Sequence, residues 1–129
     1  MHTFGQLGAT LRSFGIRFGY YNPRDWKAAK LIDPIVDTWA DAFLANYSIF
    51  TAKNEEKDDR INEYISGIGT RFHNLCEANL GVLEAQGQDL RFIAGPKVTI
   101  ADVVLVSYVA NIVNNPACVI SPAAKGLLE

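Results

Sequence analysis

The chain has 129 residues, 49% hydrophobic, 11% aromatic and 20% charged, with a formal net charge of −2. That is the size of one domain with its own core, and the composition excludes intrinsic disorder. Its only sustained basic texture is Arg12, Arg17 and Arg24, too sparse for nucleic acid, because phosphate binding draws on clustered Lys and Arg.

The opening MHTFGQLG has no basic segment followed by an apolar one, so no secretory signal is expected. Leu7, Leu11, Phe14 and Phe18 recur at steps of four and three, which predicts a first helix with these residues on one face. Thr3 and Gln6 have the spacing of a capping box and put the start near residue 4. GYYNPRD (19–25) reads as a loop, with Gly19 ending the helix and Asn22-Pro23 turning the chain. A second helix is expected from about Asp25 to Tyr47, its apolar face being Ala28, Leu31, Ile32, Ile35, Trp39, Phe43 and Tyr47. Pro34 lacks an N–H and crowds the carbonyl of Lys30, which predicts a kink or a restart capped by Asp33.

NEEKDD (54–59) opens a third helix with Ile61, Ile65, Ile68, Phe72 and Leu75 close to a heptad seam. The polar Asn79 stands next in that seam, so the stripe is expected to shift to Leu80 and Leu83. FIAG (92–95) reads as a short buried connection that Pro96 ends. Thr99 and Asp102 then form a capping box, with Val98 and Val103 spaced as a hydrophobic staple. The helix that follows presents Val104, Leu105, Tyr108, Val109 and Ile112 and is nearly apolar all round, so it should be buried. Its run VVLVSYVANIV (103–113) is about half the length of a bilayer crossing, and no membrane association is expected. NPACVISP (115–122) reads as a loop and AAKGLLE as the start of a last helix. With no strand read anywhere, the fold class is all-α. Cys76 and Cys118 are too few for a disulfide framework and fit a reducing, cytoplasmic setting.

Three segments carry a resemblance. QLGATLRSFGIRFGYY (6–21), LIDPIVDTWADAF (31–43) and FIAGPKVTIADVVL (92–105) resemble, in order and separation, the helical part of cytosolic glutathione transferases of the pi, sigma and alpha-like classes. The third matches that family's F-x-x-G-x-x-x-[ST]-x-A-D motif. The resemblance implies a helical bundle of the glutathione transferase C-terminal domain type. Residues 1–21 would be a remnant of the thioredoxin-like domain, its last helix, and 22–129 the helical domain, truncated at its end. The complete form would conjugate glutathione to small hydrophobic electrophiles. This chain would supply helices for the hydrophobic pocket and the dimer contact. The Tyr or Ser that activates the thiol would lie outside it, so no catalytic residue is assigned. A second possibility is a non-catalytic interaction module on the same fold.

By the same resemblance, Gln6 would contact the γ-glutamyl end of glutathione, and Asp41 would reach its amino group across a dimer. Leu7 stands where the family has a Ser on the same carboxylate. Arg12 would meet Asp33 across the two-fold, with Asp37 beside it, and Tyr47, Phe50 and Tyr108 would line the hydrophobic pocket. Read from the residues alone, Gln6 is equally the far end of a cap, and Asp33, Asp37 and Asp41, four apart, are a solvated acidic stripe. Trp39 and Phe43 read as core. Thr99 and Asp102 are structural in every reading. His73 and Cys76, three apart, are a flank pair rather than a metal site. The expected ligand is therefore glutathione as substrate, and the expected partner a second copy or a larger protein assembly, with no nucleic acid.

Overall fold

Helix α1, Leu7–Phe18, opens the computed structural model, which describes residues 6–127. Thr3 of the expected cap lies outside the described residues, and Gln6 closes no cap with its side chain. Gly19 ends the helix in the left-handed region (φ 80°), its N–H bonded to the Gly15 carbonyl. The buried face differs from the expected one. Gly8 and Gly15 are buried, while Leu7, Phe14 and Phe18 are 47%, 46% and 60% exposed. Only Leu11 of the expected stripe packs partly on the core. The physical cause is close backbone approach: a Cβ on Gly15 would stand 2.7 Å from Ile100 Cγ2 and 2.8 Å from Tyr21 Cβ. The helix is drawn in by what its glycines lack, and the aromatic side is left outward, with Phe14 and Phe18 stacked 6.2 Å apart.

Helix α2, Trp26–Thr51, is the spine. Asp25 caps it by accepting the Ala28 N–H at 3.2 Å. It runs through Pro34 without a restart; Pro34 and Lys30 are both on the exposed side, where water can take the carbonyl that loses its partner. Ile32, Ile35, Val36, Trp39, Ala42 and Ile49 are buried. Phe43 and Tyr47, expected on the same face, are exposed. Two four-residue steps beyond Trp39 rotate the stripe by about 80°, so the core contact passes to Ala42 and Ile49 instead.

The expected third helix is two, α3 (Asn54–Tyr64) and α4 (Thr70–Ala85), joined by a π-helical turn, π1 (Ile65–Gly69). Gly67 there leaves helical geometry (φ −115°, ψ −106°), and the Thr70 hydroxyl takes up the Ile65 carbonyl at 2.5 Å. A π turn inserts one residue into the helical count, so the seam passes from Tyr64 to Phe72, Asn79 and Leu83, all buried. The stripe does take in Leu80, which packs partly on the core, and the buried Leu83, but Asn79 stays in the seam as well. Its amide donates to the Leu31 carbonyl at 2.9 Å and the Ile93 carbonyl at 3.3 Å, which satisfies a buried polar group.

FIAG is the buried connection expected, with Ile93, Ala94 and Gly95 inside. Helix α5 (Ile100–Tyr108) follows the Thr99–Asp102 capping box and continues as π2 (Val109–Val113); α6 is Ser121–Gly126. Ile100, Ala101, Val104, Tyr108, Ile112 and Val113 are buried, mainly against α2. The helix is not buried all round: Val106 is 68% exposed, and the expected staple pair Val98 and Val103 is 41% and 48% exposed. The described residues are all-helical apart from an isolated bridge between Phe92 and Gly95, and no helix among them is long and apolar enough to cross a membrane.

Candidate functional site

The acidic stripe of α2 divides. Arg12 reaches from α1 to Asp33 (Nε–Oδ1 2.8 Å) and to Asp37 (Nη2–Oδ1 2.9 Å), and the Tyr21 hydroxyl donates to the same Asp33 carboxylate at 3.0 Å. Arg12 and Asp33 thus pair within the chain, and Asp37 is committed with them. Gly8 is buried beside this contact. Partial burial opposes the Arg12 charge, but the hydrogen bonds and charges of the two carboxylates outweigh it and hold the guanidinium pKa above its ordinary value. The cluster fixes α1 to α2.

Asp41 lies one turn further along α2, exposed. Gln6 is exposed at the start of α1, where its carbonyl accepts the Thr10 N–H at 3.1 Å. Among the described residues no contact joins Gln6 to Asp41, so the two groups expected to hold glutathione are not assembled into one pocket by this chain.

The aromatic end of α2 does form a concave site. Tyr47 and Phe50, 62% and 68% exposed, line a groove of about 280 Å³ with Phe43, Asn46, Cys118 and Val119. Cys118 donates from Sγ to Asn46 Oδ1 at 3.5 Å, which ties the 115–122 loop to α2. Phe43, read from sequence as core, belongs to this groove. Cys118 and Val119 were missed because they sit in a loop, where no periodicity assigns a side to a residue.

Tyr108, the third expected pocket residue, is elsewhere. It is buried between α4 and α5, with its hydroxyl 2.6 Å from that of Tyr64 and its ring 4.7 Å from Phe72. The buried face of α5 carries it inward, as it does Val104 and Ile112, so it cannot meet a ligand in the groove. Nothing in the spacing marked Tyr64 as its partner.

Asp102 does more than close a cap. Its Oδ2 accepts the Thr99 N–H at 2.8 Å and the Thr99 hydroxyl at 3.1 Å, and its Oδ1 accepts the Ile93 N–H at 2.8 Å. It is a structural clamp between α5 and the FIAG turn.

Cys76 borders a small void of about 50 Å³ with His73, Tyr108 and Leu127. Burial pushes its thiol up to about 11, so at pH 8 only about one thiol in a thousand is ionised. Cys76 should therefore resist iodoacetamide at pH 8 in the folded protein and become alkylated once urea is added; mass spectrometry of peptides checks this. Rapid modification without urea would show that the void opens in solution. His73 turns to Glu77 (Nε2–Oε1 3.3 Å). Among the described residues no three His, Cys, Asp or Glu side chains gather to hold a metal ion. No hydrogen bond joins a base to either thiol among them; the one thiol bond is that of Cys118 to Asn46.

No family model matches the chain, and no curated protein or solved structure matches it.

Proposed function

We propose that this protein is a glutathione transferase-like helical unit, a bundle of that family's C-terminal type. It holds a small hydrophobic electrophile in the groove of α2 and leaves ionisation of the glutathione thiol to another polypeptide segment, in a cytoplasmic setting. The observation that supports this is the groove: two large aromatic side chains, Tyr47 and Phe50, stand in water beside Phe43 and Val119, a cost that a bound apolar ligand would recover. Arg12, Asp33 and Asp37, which the resemblance gave to a dimer contact, hold α1 to α2.

The test has two arms. Equilibrium binding of 1,3-dinitrobenzene, an unreactive nitroarene, should be measurable and should weaken about tenfold in Phe50→Ser, since one aromatic contact is worth about 1 kcal/mol or more. Glutathione should not be conjugated to a chromogenic nitroaryl chloride above the uncatalysed rate. Binding that ignores the Phe50 change would remove the groove from the function. Clear turnover by the purified chain would place thiol activation within it.

The outward side of α1, where Leu7 and Phe18 are exposed, favours a second reading, a non-catalytic assembly module whose first partner is another copy. Sedimentation equilibrium and nitroarene binding together separate the two: in the second reading a Leu7→Ser/Phe18→Ser variant is a monomer where the parent is a dimer, and the parent binds no nitroarene.

A further inference from the structure

A larger cavity, about 570 Å³, lies at the other end of α2, and its volume is that of a small-molecule site. Trp26 and Phe50 are separated by about 36 Å along the helix at 1.5 Å per residue, so this cavity and the aromatic groove share no wall. Its apolar lining comes from three elements, Leu31 on α2, Leu83 on α4 and Ala94 in the FIAG turn. At its mouth stands the Trp26 indole, 68% exposed, an aromatic surface for which the fold has no use.

The charge around the cavity is lopsided. Lys27 and Lys30 both line it, and Lys27 Nζ lies 5.9 Å from the Trp26 ring. Asp25 is the one carboxylate in the lining, and its Oδ1 is engaged as the cap of α2. Asp89, in the adjoining turn, is held by Arg91 at 2.6 Å. The last carbonyls of α4 are covered as well: those of Val82, Leu83 and Glu84 accept the N–H groups of Gln86, Gly87 and Gln88. Two ammonium groups therefore face one capped carboxylate over an apolar floor.

We propose that this cavity binds a small planar aromatic carboxylate, its ring against Trp26 and its charge balanced by Lys27 and Lys30. The apolar lining selects for the ring, because a compact inorganic anion would gain nothing from Leu31 and Leu83. The lysines select for the carboxylate over a neutral aromatic of the same shape.

Trp26 and Trp39 are the two tryptophans of the chain, so ¹⁵N-labelled protein has two indole N–H signals, and Trp26→Phe assigns them. Titration with 2-naphthoate should move the Trp26 signal to saturation and leave that of the buried Trp39 in place. The neutral analogue 2-naphthalenemethanol should bind at least about fivefold more weakly, the loss expected for removing one partly screened charge pair. A Lys27→Gln/Lys30→Gln variant, both positions exposed, should abolish that preference, and Phe50→Ser should leave the 2-naphthoate titration within about twofold of the parent. A Trp26 signal that stays fixed at millimolar 2-naphthoate, or an alcohol that binds as well as the acid, would overturn the assignment. So would loss of 2-naphthoate binding in Phe50→Ser, which would transfer the ligand to the groove.

Discussion

Asp102→Ala is expected to lower the unfolding free energy by about 2–4 kcal/mol, the sum of a lost cap and an orphaned buried amide. The cap alone is worth about 1 kcal/mol. The larger share comes from Ile93, whose N–H donates to Asp102 Oδ1 at 2.8 Å and whose residue is 5% exposed. Without the carboxylate that amide has no partner among the described residues, and the alanine methyl cannot bring one. Asp102→Asn should recover part of the loss, because its single carbonyl oxygen can serve either Ile93 or Thr99 but not both, and its amino group faces a donor. Urea unfolding followed by circular dichroism should show a lower midpoint at unchanged slope. A loss under about 1 kcal/mol would mean that water replaces the carboxylate in the FIAG turn.

The same residue shows what a sequence can and cannot disclose. The Thr99–Asp102 cap is local: two side chains three residues apart at a helix start, with a fixed geometry and no need of the rest of the chain. It was legible. The third bond of Asp102, to Ile93, depends on how the turn before the helix folds back, and no spacing announces it. Local signals likewise located the close of α1 at Gly19 and the opening of α2 at Asp25, but not the opening of α1 at Leu7 or the close of α2 at Thr51.

Which face went inward was less legible. In α1 the apolar side chains defined a stripe, yet Gly15, whose lack of a side chain permits close approach to Ile100 and Tyr21, faces inward instead. In the long third helix the expected seam largely holds through the π turn at Gly67, with Ile61, Ile65 and Ile68 packed partly on the core and Phe72 buried. No spacing announced that Asn79 would lie where two carbonyls use its amide. Tyr47 and Phe50, which the resemblance gave to a pocket, do line a groove, but Cys118 and Val119 of the same wall arrive from a loop. The resemblance implied Arg12 against Asp33 of a second copy; within one chain the two already meet, a proximity that no spacing in the sequence announces.

The second large effect concerns the buried tyrosines. Tyr64→Phe and Tyr108→Phe should each cost about 1–2 kcal/mol, while the double variant should cost no more than either single one, because removing one partner strands the other hydroxyl and removing both strands none. The two oxygens are 2.6 Å apart, and one hydrogen is shared between them. Phe72 and the void beside Cys76 offer apolar surroundings that suit phenylalanine at Tyr108 as well as tyrosine. A double-mutant cycle by urea unfolding measures the coupling, and additive losses would show that each hydroxyl has a separate water partner. The pH dependence gives an independent reading. Burial, and for Tyr64 also the bond and charge of Tyr108, raises both phenol pKa values above the usual 10. Below pH 10 both states of the chain hold the two protons. Above it the unfolded chain releases them first, so stability falls as pH rises. The double phenylalanine variant should lose less stability than the parent between pH 9.5 and 11, by roughly the share these two phenols carry. An identical fall in parent and variant would assign the alkaline loss to the other acids whose pKa burial raises, the Cys76 thiol and the Tyr21 phenol.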